Sequence, residues 1–141
     1  MTGGAASRDK GKRGELEAVH ILQDSGWPKA HRTSRGVSQT GHGDIEGGPA
    51  GVHLESKRTE ALDLPAAWRQ VRRDARPMDI PVLVRRRNNE EWRATLPVGA
   101  LLPFLRKSSK TAVEVYVPPD DVPLATLPFV DLLKMFKRAG L

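Results

Sequence analysis

Asp44, Glu46, Glu55 and Lys57 crowd into "GDIEGGPAGVHLESKR" (43–58), interleaved with Ile45, Val52 and Leu54. The alternation predicts two β-strands joined by a hairpin turn at "GGPAG". In the second strand Val52, Leu54 and Ser56 face one way and His53, Glu55 and Lys57 the other, with Glu55 and Lys57 roughly 7 Å apart by strand rise. If the strands pair, Asp44 approaches Glu55 across the ladder. Two carboxylates that close repel unless a cation lies between them. Mg²⁺ suits such a pair, because it takes one or two carboxylates and completes its shell with water and phosphate. The Lys57 ammonium beside that ion could lower the pKa of a water or steady a developing phosphate charge. The chemistry this favours is hydrolysis of a phosphodiester. The competing reading is a solvent-exposed hairpin with a charged outer face. His53 shares the Glu55 face and either lines the site or is an ordinary structural histidine.

A third carboxylate stands out upstream. On a helical wheel Val19 and Leu22 fall within about 40° of Glu15, with Ala18 near, and Glu17, His20 and Asp24 fall opposite. A carboxylate on an apolar face needs a partner or a metal. A rim position or a structural ion pair would serve equally.

The elements that must position these groups can be read along the chain. Residues 1–9 read as a disordered tail and 10–141 as one domain. Helices are expected at about Lys10–Ser25, stopped by Gly26, at about 64–76 with Pro65 in the first turn, and at 127–140. The last presents Leu127, Val130, Leu132, Leu133, Met135 and Phe136 as a core face. A short helix at 98–107 breaks at Pro103. Strands are expected at 30–33, 80–86, 90–97 and 111–118, the 80–86 run being apolar enough for burial on both faces. No internal repeat is expected. The order points to an α/β domain with a mixed sheet.

Composition narrows the partners. A net charge of +6 favours a polyanion such as nucleic acid. The absence of cysteine excludes disulfides, thiolate metal sites and thiol catalysis. No apolar run approaches the roughly 20 residues of a membrane helix, and the N-terminus lacks a signal-peptide core. A cytoplasmic protein without membrane partners is the simplest expectation.

Asp44 followed by Glu55-Ser56-Lys57 resembles the signature of the PD-(D/E)XK nuclease superfamily. "KGKRGELEAVHILQDSGW" resembles the first helix of the archaeal- and phage-type Holliday junction resolvases in that superfamily, "HRTSRG" before "GDIEG" resembles their Arg/Ser loop, and "IPVLVRRRNNEEWRATLP" resembles their later strand pair. The resemblance spans about residues 10–97. It implies a restriction-endonuclease-like fold, with a mixed central sheet flanked by helices. It also implies a homodimer cutting two opposed strands of branched DNA, a four-way junction. Glu15, Asp44, Glu55 and Lys57 would be catalytic. Asp44, Glu55 and the Ser56 carbonyl would hold Mg²⁺, with Mn²⁺ an alternative. Lys12, Arg13, Arg32, Ser34 and Arg35 would contact DNA. Two departures stand out: Gly43 replaces the proline often found before the aspartate, and the preceding loop is long and carries His42. Other nucleases of the superfamily and a non-catalytic DNA-binding domain are the alternatives. Arg69, Arg72, Arg73 and Arg76 share one helix face, either a phosphate-contacting ridge or an ordinary solvated face. Gln70 lies on neither that face nor the apolar one. "RRR" at 85–87 is equally open.

Overall fold

A computed structural model describes residues 3–33 and 43–141. Its elements are α1 (Gly3–Asp24), β1 (His31–Arg32), β2 (Ile45–Glu46), β3 (Val52–Arg58), α2 (Leu64–Asp74), β4 (Ile80–Arg86), β5 (Arg93–Pro97), α3 (Val98–Leu101) with a 3-10 turn at Leu102–Phe104, β6 (Glu114–Tyr116), β7 (Leu124–Pro128) and α4 (Phe129–Arg138). The strands form one seven-stranded sheet in the order β1-β2-β3-β4-β5-β7-β6. β3 and β4 run parallel and the other pairs antiparallel, with α2 as the crossover. No helix among the described residues is long and apolar enough to cross a membrane.

Local chemistry sets the boundaries. Asp63 caps α2, its carboxylate accepting from Ala66 N at 3.0 Å, and extended Ala75 ends the helix. Gly47 and Gly51 take φ of +77° and +74°, which lets the hairpin between β2 and β3 turn. Gly26, at φ +115°, closes α1 as expected.

Helices cover both faces of the sheet. Leu22 of α1 and Leu132, Leu133 and Phe136 of α4 pack with Leu54, Val82, Val84 and Leu96. Ala67, Trp68 and Val71 of α2 pack with Leu83 and Leu124 on the other side. β3 therefore lies inside the protein, and His53 and Glu55 are only 3% and 4% exposed. The exposed-hairpin reading of this strand is excluded.

Several expectations need correction. α1 begins at Gly3, so residues 3–9 are helical rather than part of a tail. Alanine, lysine and arginine favour a helix that continues the amphipathic segment behind them. The segment 124–128 is a strand, and the last helix starts only at Phe129. Leu127 accordingly lies on β7, Val130 is exposed, and Phe129 takes the core position. Leu124–Pro128 was hidden because its apolar run flows straight into that of the helix.

A short repeat is also present. Ala94-Thr95-Leu96-Pro97 and Ala125-Thr126-Leu127-Pro128 each end a strand, and each proline caps the helix that follows, at φ near −58° and ψ near 135°. The two strands pair antiparallel with Thr95 directly opposite Thr126, so a local two-fold axis runs between them. Their hydroxyls share a buried hydrogen bond of 2.7 Å. Phe104, at the end of the 3-10 turn after α3, and Phe136, within α4, meet edge to face at 5.0 Å. Thr95→Val should cost about 1–3 kcal/mol by stranding the Thr126 hydroxyl. Thr95→Val with Thr126→Val should recover most of that loss in urea denaturation.

Candidate active site

β3 is the strand on which the candidate site is built, and hydrogen bonds fix Asp44 beside it. Asp44 N donates to Leu54 O at 3.0 Å, and Thr33 N donates to Asp44 O at 2.9 Å. The Ile45–Leu54 register sets Asp44 opposite Glu55, as the alternation implied. The Asp44 carboxylate turns to accept from Ser56 N at 2.8 Å. Gly43 explains the missing proline. A Cβ at that position would overlap the Leu54 carbonyl, so neither proline nor any other side chain fits.

The electrostatics follow from this crowding. Burial pushes the Asp44 carboxyl from 3.8 up to about 6. The Glu55 and Glu15 charges add to the rise, while the Ser56 N–H and Lys57 oppose it. The other three residues read as catalytic, Glu15, Glu55 and Lys57, thus all act on Asp44 through space. Ser56 contributes its backbone N–H to this arrangement.

Each outer carboxylate has a partner. The Arg32 Nε donates to Glu15 Oε2 at 2.6 Å, so the structural ion pair weighed for Glu15 exists. Arg32 is therefore tied to the acidic cluster. Glu55 Oε1 lies 3.0 Å from His53 Nε2, both side chains being almost wholly buried. Asp74, in the last turn of α2, hydrogen-bonds Glu55, and its carboxyl is raised by burial first and by Glu55 second. Asp74 was not anticipated. Only the crossover between two parallel strands brings the end of α2 over β3, and no local pattern encodes that approach. His53 faces Glu55 as the alternation predicted.

α1 is seated by Glu17, which the wheel placed on the polar side. Its Oε2 accepts from Arg86 Nη1 at 2.8 Å and from Trp92 Nε1 at 3.1 Å. Gly14 permits the approach, since a Cβ there would lie 2.6 Å from Arg58 Cβ. Glu15, two residues before Glu17, is held toward the cluster by the same seating.

The candidate DNA contacts are divided. Lys12 is half-buried on α1 and Arg13 is exposed. Arg69 and Arg73 are exposed on α2, whereas Arg72 pairs with Asp121 at 2.6 Å and Arg76 with Asp79 at 3.0 Å. Gln70 is half-buried. Ser34, Arg35 and His42 lie outside the described residues. Among the described residues no three His, Asp or Glu side chains form a ready-made metal cage. Asp44 and Glu55 nonetheless offer two oxygen donors, the number Mg²⁺ commonly takes from protein, and burial first, with the Glu55 and Glu15 charges adding, raises the Asp44 carboxyl. No family model, curated protein or solved structure matches the chain.

Two substitutions test this geometry. Folded Asp44 titrates near 6 against 3.8 unfolded, so the folded state binds more protons between those values. The stability that Asp44 contributes is then fully present below about pH 4 and is lost as pH rises through 6. Asp44→Asn keeps an acceptor for Ser56 N and should stabilise the metal-free protein at pH 7.5 by about 1–3 kcal/mol, with no gain at pH 4, in urea titrations. Gly43→Ala should destabilise the fold at both pH values by about 2 kcal/mol or more through steric overlap.

Proposed function

We propose that the chain is a Mg²⁺-dependent, structure-selective DNA endonuclease that acts as a homodimer and cleaves four-way junctions by paired phosphodiester hydrolysis. The observation that carries this reading is the Asp44 carboxyl, pushed up to about 6 by burial and by Glu55 and Glu15 with Lys57 alongside. Such a group gains most when a cation joins it. Asp44, Glu55 and the Ser56 carbonyl would hold Mg²⁺, or Mn²⁺ in its place. The ion supplies a more acidic water and neutralises phosphate charge.

The chain's own residues account for the rest. The Ser56 N–H fixes one Asp44 oxygen and leaves the other available. His53 and Asp74 hold Glu55 from behind. Lys57, on the Glu55 face of β3, places an ammonium where charge develops on the scissile phosphate. Arg32 is positioned by Glu15 and can reach a phosphate with the rest of its guanidinium. Lys12, Arg13, Arg69 and Arg73 supply sequence-independent attraction to the backbone.

The test uses a four-way junction, a linear duplex and a single strand of matched sequence, each with Mg²⁺ or EDTA. Paired symmetric nicks should form only in the junction and only with metal. Glu55→Gln and Lys57→Ala should each slow cleavage at least a hundredfold, roughly 3 kcal/mol, without comparable loss of DNA binding. Equal cutting of the duplex would replace the resolvase with a general nuclease. Binding with no cutting of any DNA would remove the enzyme and leave a DNA-binding domain.

A further inference from the structure

The basic character of β3 does not stop at Lys57. Strand register places Lys57 opposite Arg85 on β4, and Arg85 opposite Arg93 on β5. The three side chains project from the same face as Glu55, Leu83 and Thr95, which lie two residues from them on their strands. A row of like charges crosses three adjacent strands, and like charges directly opposite repel.

Little inside the protein relieves that repulsion. The Nε atoms of both Arg85 and Arg93 are buried and have no hydrogen-bond partner. Arg93 Nη2 donates to Glu114 Oε1 at 2.6 Å, but Glu114 is an exposed residue on the edge strand β6, 68% open to solvent. Burial lowers the proton affinity of Arg85, and the charges of Arg93 and Arg87 lower it further. Neighbouring Arg86 shows the contrast. Its guanidinium is satisfied by the Glu90 carbonyl and Glu17, both at 2.8 Å. Two of the unsatisfied buried donors among the described residues, Arg85 Nε and Arg93 Nε, lie side by side in the row that begins at the candidate catalytic lysine; the other two, Arg58 Nη1 and Trp68 Nε1, lie apart from it. A small cleft of about 10 Å³ lies at the same place, lined by Arg85, Arg86, Arg87 and Arg93 together with Glu90 and Thr59.

We propose that Arg85 and Arg93 form a binding site for a backbone phosphate of DNA, adjacent to the phosphate that is cut at Asp44, Glu55 and Lys57. The planar guanidinium presents paired N–H donors to phosphate oxygens, and one phosphodiester monoanion bridging Arg85 and Arg93 accepts from both. Glu114 is the internal stand-in that the phosphate displaces. Two strand spacings separate Lys57 from Arg93, roughly 10 Å between backbones. A DNA strand carries one charge per about 3.4 Å of axis, so the row covers more than one phosphate of a single strand. Identification of the polymer as DNA rests on the nuclease reading. The anion chemistry of the row does not.

The test is binding rather than cleavage. A fluorescently labelled four-way junction and a short duplex are titrated in EDTA at several salt concentrations. Arg85→Gln with Arg93→Gln is compared with Lys134→Gln with Arg138→Gln, an equal loss of charge on the exposed surface of α4. The row variant should bind both DNAs at least tenfold more weakly. Its slope of log affinity against log salt should fall by about 2, and the α4 variant should change far less. Inorganic phosphate, at matched ionic strength with chloride, should raise the Tm of the native protein and not of the row variant. Arg85→Lys with Arg93→Lys keeps the charge and guards against misfolding. It should retain the salt slope while losing affinity. Equal salt slopes for the row and α4 variants would overturn the proposal. So would a phosphate-dependent Tm rise with DNA affinity unchanged, which would leave a site for free phosphate. Row-dependent DNA binding by a protein that cuts nothing would support the site and remove only the nuclease.

Discussion

A carboxylate buried in the middle of the sheet sets the terms for everything around it. Glu55 lies on a strand flanked by β2 and β4 and covered by helices on both faces, so water cannot solvate it. Leaving such a charge unpaired would cost several kcal/mol. The fold answers from two directions. From behind, His53 Nε2 lies 3.0 Å from Glu55 Oε1, and Asp74, an acid whose own carboxyl is raised by burial and by Glu55, shares a hydrogen bond with it at the end of α2. From the front, Asp44 lies opposite it, and Glu15 and Lys57 act together with Glu55 on Asp44. The second answer is incomplete, because two of those three groups are themselves acids. Burial first, and the neighbouring acids second, push the Asp44 carboxyl up to about 6. A fold selected for stability alone would place an aliphatic side chain at this point. On the proposed reading, the net repulsion is retained at a site whose balancing charge would come from a bound cation.

The same constraint explains details that look unrelated. Asp44 must come close to β3 to reach Ser56 N, which forces the preceding residue to lose its side chain; Gly43 is the consequence. α1 must bring Glu15 to the cluster without sliding, and the Glu17 link to Arg86 and Trp92 fixes its axial position. Gly14 removes the one Cβ that would hold α1 off the sheet. These positions do no chemistry themselves. They convert a short acidic motif into a defined arrangement.

Much of this was legible in the residues. The alternation at 52–58 fixed which side chains accompany Glu55, the apolar run at 80–86 announced a strand buried on both faces, and the turn glycines marked the hairpin. Glu15 stood out because a charge interrupted an apolar stripe. What escaped notice depends on tertiary approach or on short signals. Asp74 lies in a helix whose arginines drew attention, and only the crossover geometry turns it toward Glu55. β7 has five residues and runs into the apolar face of α4, so its last two, Leu127 and Pro128, read as the start of the helix, and Leu124–Thr126 is too short to signal a strand. The repeat of Ala-Thr-Leu-Pro is four residues long, below what a search for longer repeat periods detects, yet it sets the register between β5 and β7. The resemblance to resolvases likewise rests on short stretches, which is why the site geometry and not the likeness has to carry the functional reading.

The two halves of the chain divide the work along these lines. α1 through β4 brings together the acidic groups, all of them within reach of β3. The β5–α3 and β7–α4 units, related by the local two-fold axis through Thr95 and Thr126, extend the sheet and supply most of the remaining core. The seam between the halves is the β4–β5 pair, where Arg85 faces Arg93. Stability would favour opposite charges or apolar side chains there, as at Leu83 and Thr95 one step earlier on the same face. Instead the seam carries two cations with buried, unsatisfied nitrogens beside a cluster of acids. Adjacent patches of opposite sign, each unbalanced within itself, suit a ligand that is itself a chain of anions bridged by metal at one of them. A phosphodiester strand laid across β3, β4 and β5 would neutralise the arginines directly and the carboxylates through a shared cation. Both departures from a stability-driven fold then have a single physical cause.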